Sequence, residues 1–219
     1  MSYLAKAREP ISSLSHCIGA VVFAAATLLL VGKTLFDDWS PKILVGVIVF
    51  GVSLVALYSA SAIYHFSNGS AKRILRLRKL DHSMIYVLIA GSYTPICMTV
   101  LWGGVGGPLL LAIWLCAAAG IILTITKLDI PRWLTSVIYL AMGWMALFAI
   151  APLSRVLPAA GMFWLIAGGV LYTVGGVLYA VKWPGRNNPR FGCHEIFHVF
   201  IVLGSVSHFI LMYSVVAPL

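Results

Sequence analysis

The chain consists of long apolar segments that are separated by short polar connections. A transmembrane helix needs about 20 consecutive apolar residues, because the hydrocarbon core of a bilayer is about 30 Å thick. This length predicts seven spans, at about 12–35, 43–65, 80–102, 108–126, 132–151, 159–181 and 193–216. We therefore predict an all-α fold, a seven-transmembrane helix bundle that forms a single integral membrane domain over residues 1–219.

The composition agrees with this class and excludes a soluble domain. Hydrophobic residues make up 61% of the chain and charged residues 10%, and the mean hydropathy is +1.00. Such values are typical of polytopic membrane proteins. The formal net charge of +9 could suggest nucleic acid as a partner. Because the basic residues lie in short connections between apolar segments, they indicate topology instead, and we expect no nucleic-acid partner.

The distribution of Lys and Arg predicts the orientation of the bundle. Twelve of the fifteen basic residues fall on one side: Lys6, Arg8, Lys72, Arg73, Arg76, Arg78, Lys79, Lys127, Arg132, Lys182, Arg186 and Arg190. Only Lys33, Lys42 and Arg155 fall on the other side, two of them close to Asp37 and Asp38. Cytoplasmic loops of membrane proteins carry the excess of basic residues. We therefore expect the N-terminus in the cytoplasm and the C-terminus outside.

The ionisable residues of the predicted spans gather near one end of the bundle. Charged or titratable groups within a membrane are costly and usually mark functional sites. Six of them lie near the expected cytoplasmic ends of their spans: His16, His65, Asp81, His82, His194 and His198. Their similar depth predicts a shared cavity between the helices. The spacing alone assigns no role to His16 or His82.

The spacing of the histidines predicts a metal site. His194 and His198 are one helical turn apart on one face, which suits two ligands on one ion. His65 completes a set of three imidazoles, an arrangement that leaves a fourth position open on zinc. Asp81 could contact a water at that metal or orient a histidine, and zinc would lower the pKa of this water to about 7. Ser61, one turn before His65, would face the same cavity.

These residues also have structural interpretations. His65 alone could be an interfacial residue that snorkels to the membrane surface, and Asp81 could pair with the adjacent basic connection. Glu195 lies in the first turn of its helix, where a carboxylate favours the helix dipole, so we assign it to the helix end. His208 lies ten residues beyond His198, about 15 Å along the axis. It cannot share the metal, and we expect it to form an interhelical hydrogen bond.

The sixth predicted span contains two glycine pairs, in the sequence "GGVLYTVGGV". Gly168 and Gly175, the first members of these pairs, are seven residues apart, which is two helical turns. Small residues on one face allow close packing of membrane helices. We therefore expect this face to contact a neighbouring helix.

Several spaced motifs together resemble a known family. The sequences "SAIYH" at 61–65, "LDHSMIYVLIAGSYTP" at 80–95 and "HEIFHVFIVLGSVSHF" at 194–209 resemble the progestin and adipoQ receptor superfamily. The resemblance is closest to its bacterial branch, the hemolysin III family, to which "SLSHCIG" and "YLAMGW" are also similar. It implies a multi-pass protein of the bacterial inner membrane.

The resemblance also implies site residues. In the family, zinc is bound by the span-two histidine and both histidines of the HxxxH motif, which are His65, His194 and His198 here. An aspartate at the start of span three contacts the metal through water, and it corresponds to Asp81. The family serine one turn before the span-two histidine corresponds to Ser61.

Three functional hypotheses follow. The superfamily includes alkaline ceramidases, so the first is a zinc-dependent hydrolase of membrane lipid amides. In it Asp81 is the base, and Ser61 or the metal stabilises the oxyanion. The second is a non-enzymatic regulator of membrane lipid or energy homeostasis, in which structural zinc joins spans two, three and seven. The third is a transporter or pore, which the hemolysin name implies, although no ring of charges or polar helix face could line a channel.

Overall fold

The computed structural model describes residues 6–36, 40–126, 130–186, 188 and 191–218. The helices in chain order are α1 (Pro10–Phe36), α2 (Pro41–Phe66), α3 (Ala71–Met98), α4 (Gly106–Thr126), α5 (Arg132–Trp144), α6 (Ile150–Val156), α7 (Ala159–Val181) and α8 (Cys193–Leu211). A 3₁₀ segment, Met145–Ala149, joins α5 to α6, and a π-helical turn, Met212–Val216, continues α8. These residues contain no strand, so the predicted all-α fold is confirmed.

Six helical segments of the described residues are long and apolar enough to cross a membrane. They are Pro10–Phe36, Pro41–Phe66, Gly106–Thr126, Arg132–Val156, Ala159–Val181 and Cys193–Val216. Large apolar side chains such as Leu28 and Phe148, 74% and 81% exposed, point outward from the bundle. Extended apolar surface is unfavourable in water and fits a lipid environment. Six of the seven predicted spans therefore coincide with apolar helices of sufficient length.

The helix α3, which contains the remaining predicted span, differs from the prediction at both ends. The sequence predicted a basic connection followed by a span at 80–102, whereas the helix begins at Ala71 and ends at Met98. Lys and Arg are good helix formers, so the basic run continues the helix instead of interrupting it. Ser70 caps the start of α3 by accepting a hydrogen bond from the backbone N–H of Arg73 at 3.4 Å. The charges make the first half of α3 polar.

The fifth span is interrupted, which its apolar pattern did not predict. It was expected at 132–151, but the chain passes from α5 through the 3₁₀ segment into α6 and remains helical to Val156. Tyr93 of α3 supports the interruption, because its hydroxyl accepts from the Ala146 N–H at 2.8 Å and donates to the Gly143 carbonyl at 2.5 Å. Backbone groups within a membrane need such partners when the regular helical pattern is broken.

Contacts between helix ends define one basic end of the bundle. The Glu9 N–H donates to the His65 carbonyl at 3.0 Å, which joins the start of α1 to the end of α2. The Arg132 guanidinium lies 5.3 Å from the centre of the Tyr179 ring, which joins the start of α5 to the end of α7. The basic end carries Lys6, Arg8, Lys72, Arg73, Arg76, Arg78, Lys79, Arg132, Lys182 and Arg186. Asp37, Asp38, Lys127 and Arg190, also used to predict orientation, lie outside the described residues.

The helices α7 and α8 pack closely through the glycine face that the sequence predicted. A Cβ atom at Gly175 would lie 2.6 Å from the Cβ of Phe200, and one at Gly168 would lie 2.3 Å from the Cδ2 of His208. Both distances are shorter than van der Waals contact allows. Only glycine therefore permits this approach of the two backbones, which the close packing of membrane helices requires.

We expect Gly175→Ala to destabilise the bundle and Gly169→Ala to leave it intact. The first substitution overpacks the contact with Phe200 and should lower the free energy of unfolding by about 1–3 kcal/mol. The second adds a Cβ with no atom within 4 Å, and alanine favours a helix over glycine. Thermal unfolding of the two variants in detergent measures the difference. Equal destabilisation by both would contradict the packing described here.

Candidate metal site and intramembrane cavity

The three histidines predicted as metal ligands lie together at the basic end. One ring nitrogen of each of His65, His194 and His198 lies within 4.8 Å of the other two. The Nε2 atoms of His65 and His194 are 3.2 Å apart. Tetrahedral zinc with Zn–N bonds of 2.0–2.1 Å separates neighbouring nitrogens by about 3.4 Å. The spacing of these two atoms therefore fits two ligands of one metal ion, and a metal could be held by the three rings.

Two helix ends position these rings. His65 lies in the last turn of α2 and is 1% exposed, while His194 and His198 lie in the first two turns of α8. Because α2 ends where α8 begins, residues far apart in the sequence meet. The ring centres of His194 and His198 are 4.5 Å apart, as expected for one helix face.

Glu195 secures the start of α8, as the sequence predicted. Its Oε2 accepts a hydrogen bond from the Gly192 N–H at 2.8 Å, which satisfies a backbone group at the helix start. Its Oε1 accepts a second bond from the Ser12 hydroxyl, also at 2.8 Å. The second contact was not predicted. It ties α1 to α8 beside the histidine cluster.

Glu9 contacts the cluster directly, and the sequence analysis missed it. Its Oε2 forms a hydrogen bond with the Nδ1 of His65, which leaves the Nε2 of that ring directed at His194. Carboxylates commonly orient metal-binding histidines in this way. Burial alone would raise the pKa of Glu9. The hydrogen bond with His65 and the charge of Arg8, 3.2 Å away, outweigh burial and lower that pKa below its usual value.

His16 lies against the cluster as a fourth imidazole. Its ring is stacked on that of His198, with centres 3.7 Å apart and planes inclined by 9°. His16 is 3% exposed, and neither of its ring nitrogens has a hydrogen-bond partner among the described residues. The stack fixes the plane of the His198 ring. His16 is thus the third residue at the start of the chain that supports the site, after Glu9 and Ser12.

Asp81 and Ser61, the predicted catalytic pair, face each other next to the histidines. The Ser61 hydroxyl lies in hydrogen-bonding range of the Asp81 carboxylate, and both side chains are buried. Within the described part of the chain, no Lys or Arg forms an ion pair with Asp81. The structure therefore does not support the alternative in which Asp81 forms an ion pair with the basic residues of α3.

A cavity of about 240 Å³ extends from this cluster into the bundle. Asp81, His194 and His198 line it at the basic end, and Met212 lines it at the far end of α8. The 18 residues from His194 to Met212 correspond to about 27 Å of helix. Its walls between these ends are largely apolar and include Ile85, Leu88, Ile89, Leu165, Phe197 and Ile201. His65 is not one of its lining residues, so it supports the cluster from behind.

The cavity also reaches the lipid-facing surface of the bundle. Leu147 of the 3₁₀ segment and Ile166 of α7 both line the cavity. They are also 53% and 51% exposed on the outside of the bundle. The interruption of the fifth span therefore lies beside an edge of the cavity whose lining residues are also exposed on the outside of the bundle.

His208 does not join the cluster, as its position in α8 predicted. It lines the same cavity further along, with its ring edge-on to Tyr172 at 5.4 Å between centres. The Leu165 carbonyl faces the ring. Neither ring nitrogen has a well-formed hydrogen bond in the described ranges, however. The Leu165 carbonyl belongs to α7, so it lies where the predicted interhelical hydrogen bond requires an acceptor, and that bond stays a prediction.

Comparison with known proteins gives consistent matches over almost the whole chain. Residues 4–209 match the model of the family described as "Haemolysin-III related". The chain is 34% identical to the hemolysin-3 homolog of Bacillus subtilis (strain 168), over 96% of each chain. It is 33% identical to hemolysin-3 of Bacillus cereus, over 96% of this chain and 92% of that protein. An adiponectin receptor protein of Drosophila melanogaster is 25% identical, over 89% of this chain and 48% of the receptor.

We expect Glu9→Gln to weaken metal binding, because the substitution removes the charge that orients and polarises His65. The affinity for Zn²⁺ should fall by about 10- to 100-fold. Glu195→Gln is the matched control, since it removes the same charge near the cluster without contacting a ring nitrogen. Competition with a zinc chelator measures both affinities in detergent. An equal loss in the two variants would mean that general electrostatics, and not the contact with His65, explains the effect.

Proposed function

The chain belongs to the haemolysin-III related family, and we propose that it is a zinc-dependent intramembrane hydrolase that cleaves lipid amides in a ceramidase-like reaction. The observation that carries this proposal is the position of the cavity. Its lining residues Leu147 and Ile166 are also exposed on the outside of the bundle, and it ends on Asp81, His194 and His198. A lipid that enters from the side thus meets three ionisable groups at one end of an apolar space.

The proposal includes the topology of the chain. Seven spans cross the inner membrane, with the basic end in the cytoplasm and the C-terminus outside. The six apolar helical segments and the apolar second half of α3 support this number. The concentration of Lys and Arg at one end supports the direction. The histidine cluster then lies near the cytoplasmic face.

The ligands of the zinc ion are His65, His194 and His198. One ring nitrogen of each histidine lies within 4.8 Å of the other two, which supports this assignment. The hydrogen bond between the Glu9 carboxylate and the Nδ1 of His65 supports it as well. A zinc ion held by these residues would make a nearby water more acidic, with a pKa of about 7, and so easier for Asp81 to deprotonate. Three protein ligands leave room for this water.

Asp81 is the general base and then the general acid of the reaction. It takes a proton from the attacking water as the water oxygen bonds to the amide carbonyl carbon. It returns this proton to the amide nitrogen as the C–N bond breaks, which yields a carboxylic acid and an amine. Ser61 donates a hydrogen bond to Asp81 and holds it in position. The oxyanion contact that the sequence suggested for Ser61 or the metal remains part of the proposal.

A second candidate function uses the same residues without catalysis. His65 does not line the cavity, and a metal on this residue and on His194 would join α2 to α8. In this case the zinc is structural, and the protein regulates membrane lipids or energy homeostasis through partners. The two candidates differ in what the protein does with a lipid amide.

We expect Asp81→Asn to abolish turnover but to keep the metal. Turnover of a ceramide should fall at least about 100-fold, because the amide cannot act as base, while zinc content stays at the wild-type level. His194→Ala should lose both zinc and turnover. Ser207→Ala is the control, since that buried serine only bonds the Leu203 carbonyl of its own helix. Elemental analysis and product detection by mass spectrometry measure the two properties.

Two results would reject the catalytic proposal. One is full turnover by Asp81→Asn. The other is a zinc-loaded wild-type protein that is inert to a panel of ceramides and other lipid amides. If zinc removal also lowered the melting temperature of that inert protein, the structural candidate would be supported instead.

A further inference from the structure

His208 brings an imidazole into the apolar part of the cavity. It lies ten residues beyond His198 on α8, about 15 Å along the helix axis. Both of its ring nitrogens are buried, and neither has a hydrogen-bond partner in the part of the chain that the structure describes. Buried donors and acceptors without partners are rare and unfavourable. The Leu165 carbonyl faces the ring, but a carbonyl can accept only from the N–H, so at least one ring nitrogen remains for a ligand at a wall of the cavity.

The ring is held firmly in this position by α7. Gly168 lies so close that a Cβ there would be 2.3 Å from the His208 Cδ2. Tyr172, one turn further along α7, presents its ring edge-on. The π-helical turn Met212–Val216 begins one turn after His208, and such turns are frequent at functional sites. The His208 ring is therefore fixed in place by its neighbours, as expected for a side chain in a binding site.

Neighbouring hydroxyl groups do not satisfy the histidine, because they bond to one another. The Tyr58 hydroxyl donates to the Ser205 Oγ at 2.8 Å, and the Tyr172 hydroxyl is 2.9 Å from the same oxygen. These three hydrogen-bonded residues link α2, α7 and α8 next to the cavity. Their hydrogen bonds stabilise Tyr172, which in turn contacts His208, but they offer the imidazole no partner.

The chemistry of the unpaired ring identifies its ligand. A neutral imidazole presents one N–H donor and one acceptor nitrogen, and an alcohol can serve either of them. The walls between His198 and His208 are apolar, including Leu165 and Ile201. We propose that His208 binds a hydroxyl group carried part-way along a lipid chain whose polar head lies at the histidine cluster. The inference rests on the proposed function only in taking a lipid as the occupant.

The test compares the binding of three fatty acids to the purified, zinc-loaded protein in detergent. The probes are octadecanoic acid, 12-hydroxyoctadecanoic acid and 2-hydroxyoctadecanoic acid, of which only the second carries a hydroxyl far from its head. We expect the 12-hydroxy acid to bind about five- to tenfold more tightly than the unsubstituted acid. The 2-hydroxy acid should show no such gain. Displacement of a fluorescent fatty acid measures the three affinities.

Two variants identify the group that recognises the hydroxyl. His208→Phe keeps an aromatic ring without hydrogen-bonding atoms and should bind all three acids equally. His208→Gln restores a donor and an acceptor and should recover part of the preference. Wild-type protein that binds the three acids equally, or that binds none of them, would overturn the inference, as would an unchanged preference in His208→Phe. These readouts need no turnover, so an inert protein that prefers the 12-hydroxy acid would reject the hydrolase and retain the His208 site.

Discussion

Every polar group inside a membrane needs a partner within the protein, and the rest of this structure depends on that constraint. The basic end meets it with short-range pairs that also orient the candidate metal ligands. Glu9 bonds His65, Ser61 faces Asp81, and Glu195 secures the start of α8. Each pair fixes a side chain that would be costly if left alone. The cluster is therefore stabilised by the same contacts that shape it.

Much of this order comes from α1, a helix that supplies none of the three metal ligands. Glu9 sets the direction of His65, Ser12 bonds Glu195, and His16 stacks on His198. Contacts from the first two turns of α1 and from Glu9, the residue just before it, thus reach both α2 and α8. A shift of α1 would disturb both helices that carry the histidines, so the site is a property of three helices and not of two.

The sequence predicted the parts of the site that depend on local spacing. The apolar lengths located the spans, and the i, i+4 spacing in α8 identified two of the three clustered histidines without knowledge of the fold. Glu9 was missed, and His16 was placed at the cavity without a role, because their contacts depend on how α1 packs against α2 and α8, which no spacing encodes. The start of α3 was misplaced for a different reason, since a run of Lys and Arg suits a helix as well as a loop.

The unpaired ring nitrogens of the histidines lie where a ligand would be expected. Ring nitrogens without partners occur, within the described ranges, on His16, His198 and His208, and all three residues line the cavity. The hydroxyl groups of Tyr58, Tyr172 and Ser205 lie beside the cavity, which Tyr172 also lines, and they bond to one another. Since unpaired polar atoms in a membrane are costly, their concentration along one cavity implies that the cavity's contents provide the partners. An occupant that is polar at the basic end, apolar in between and polar again at His208 would satisfy all of them at once.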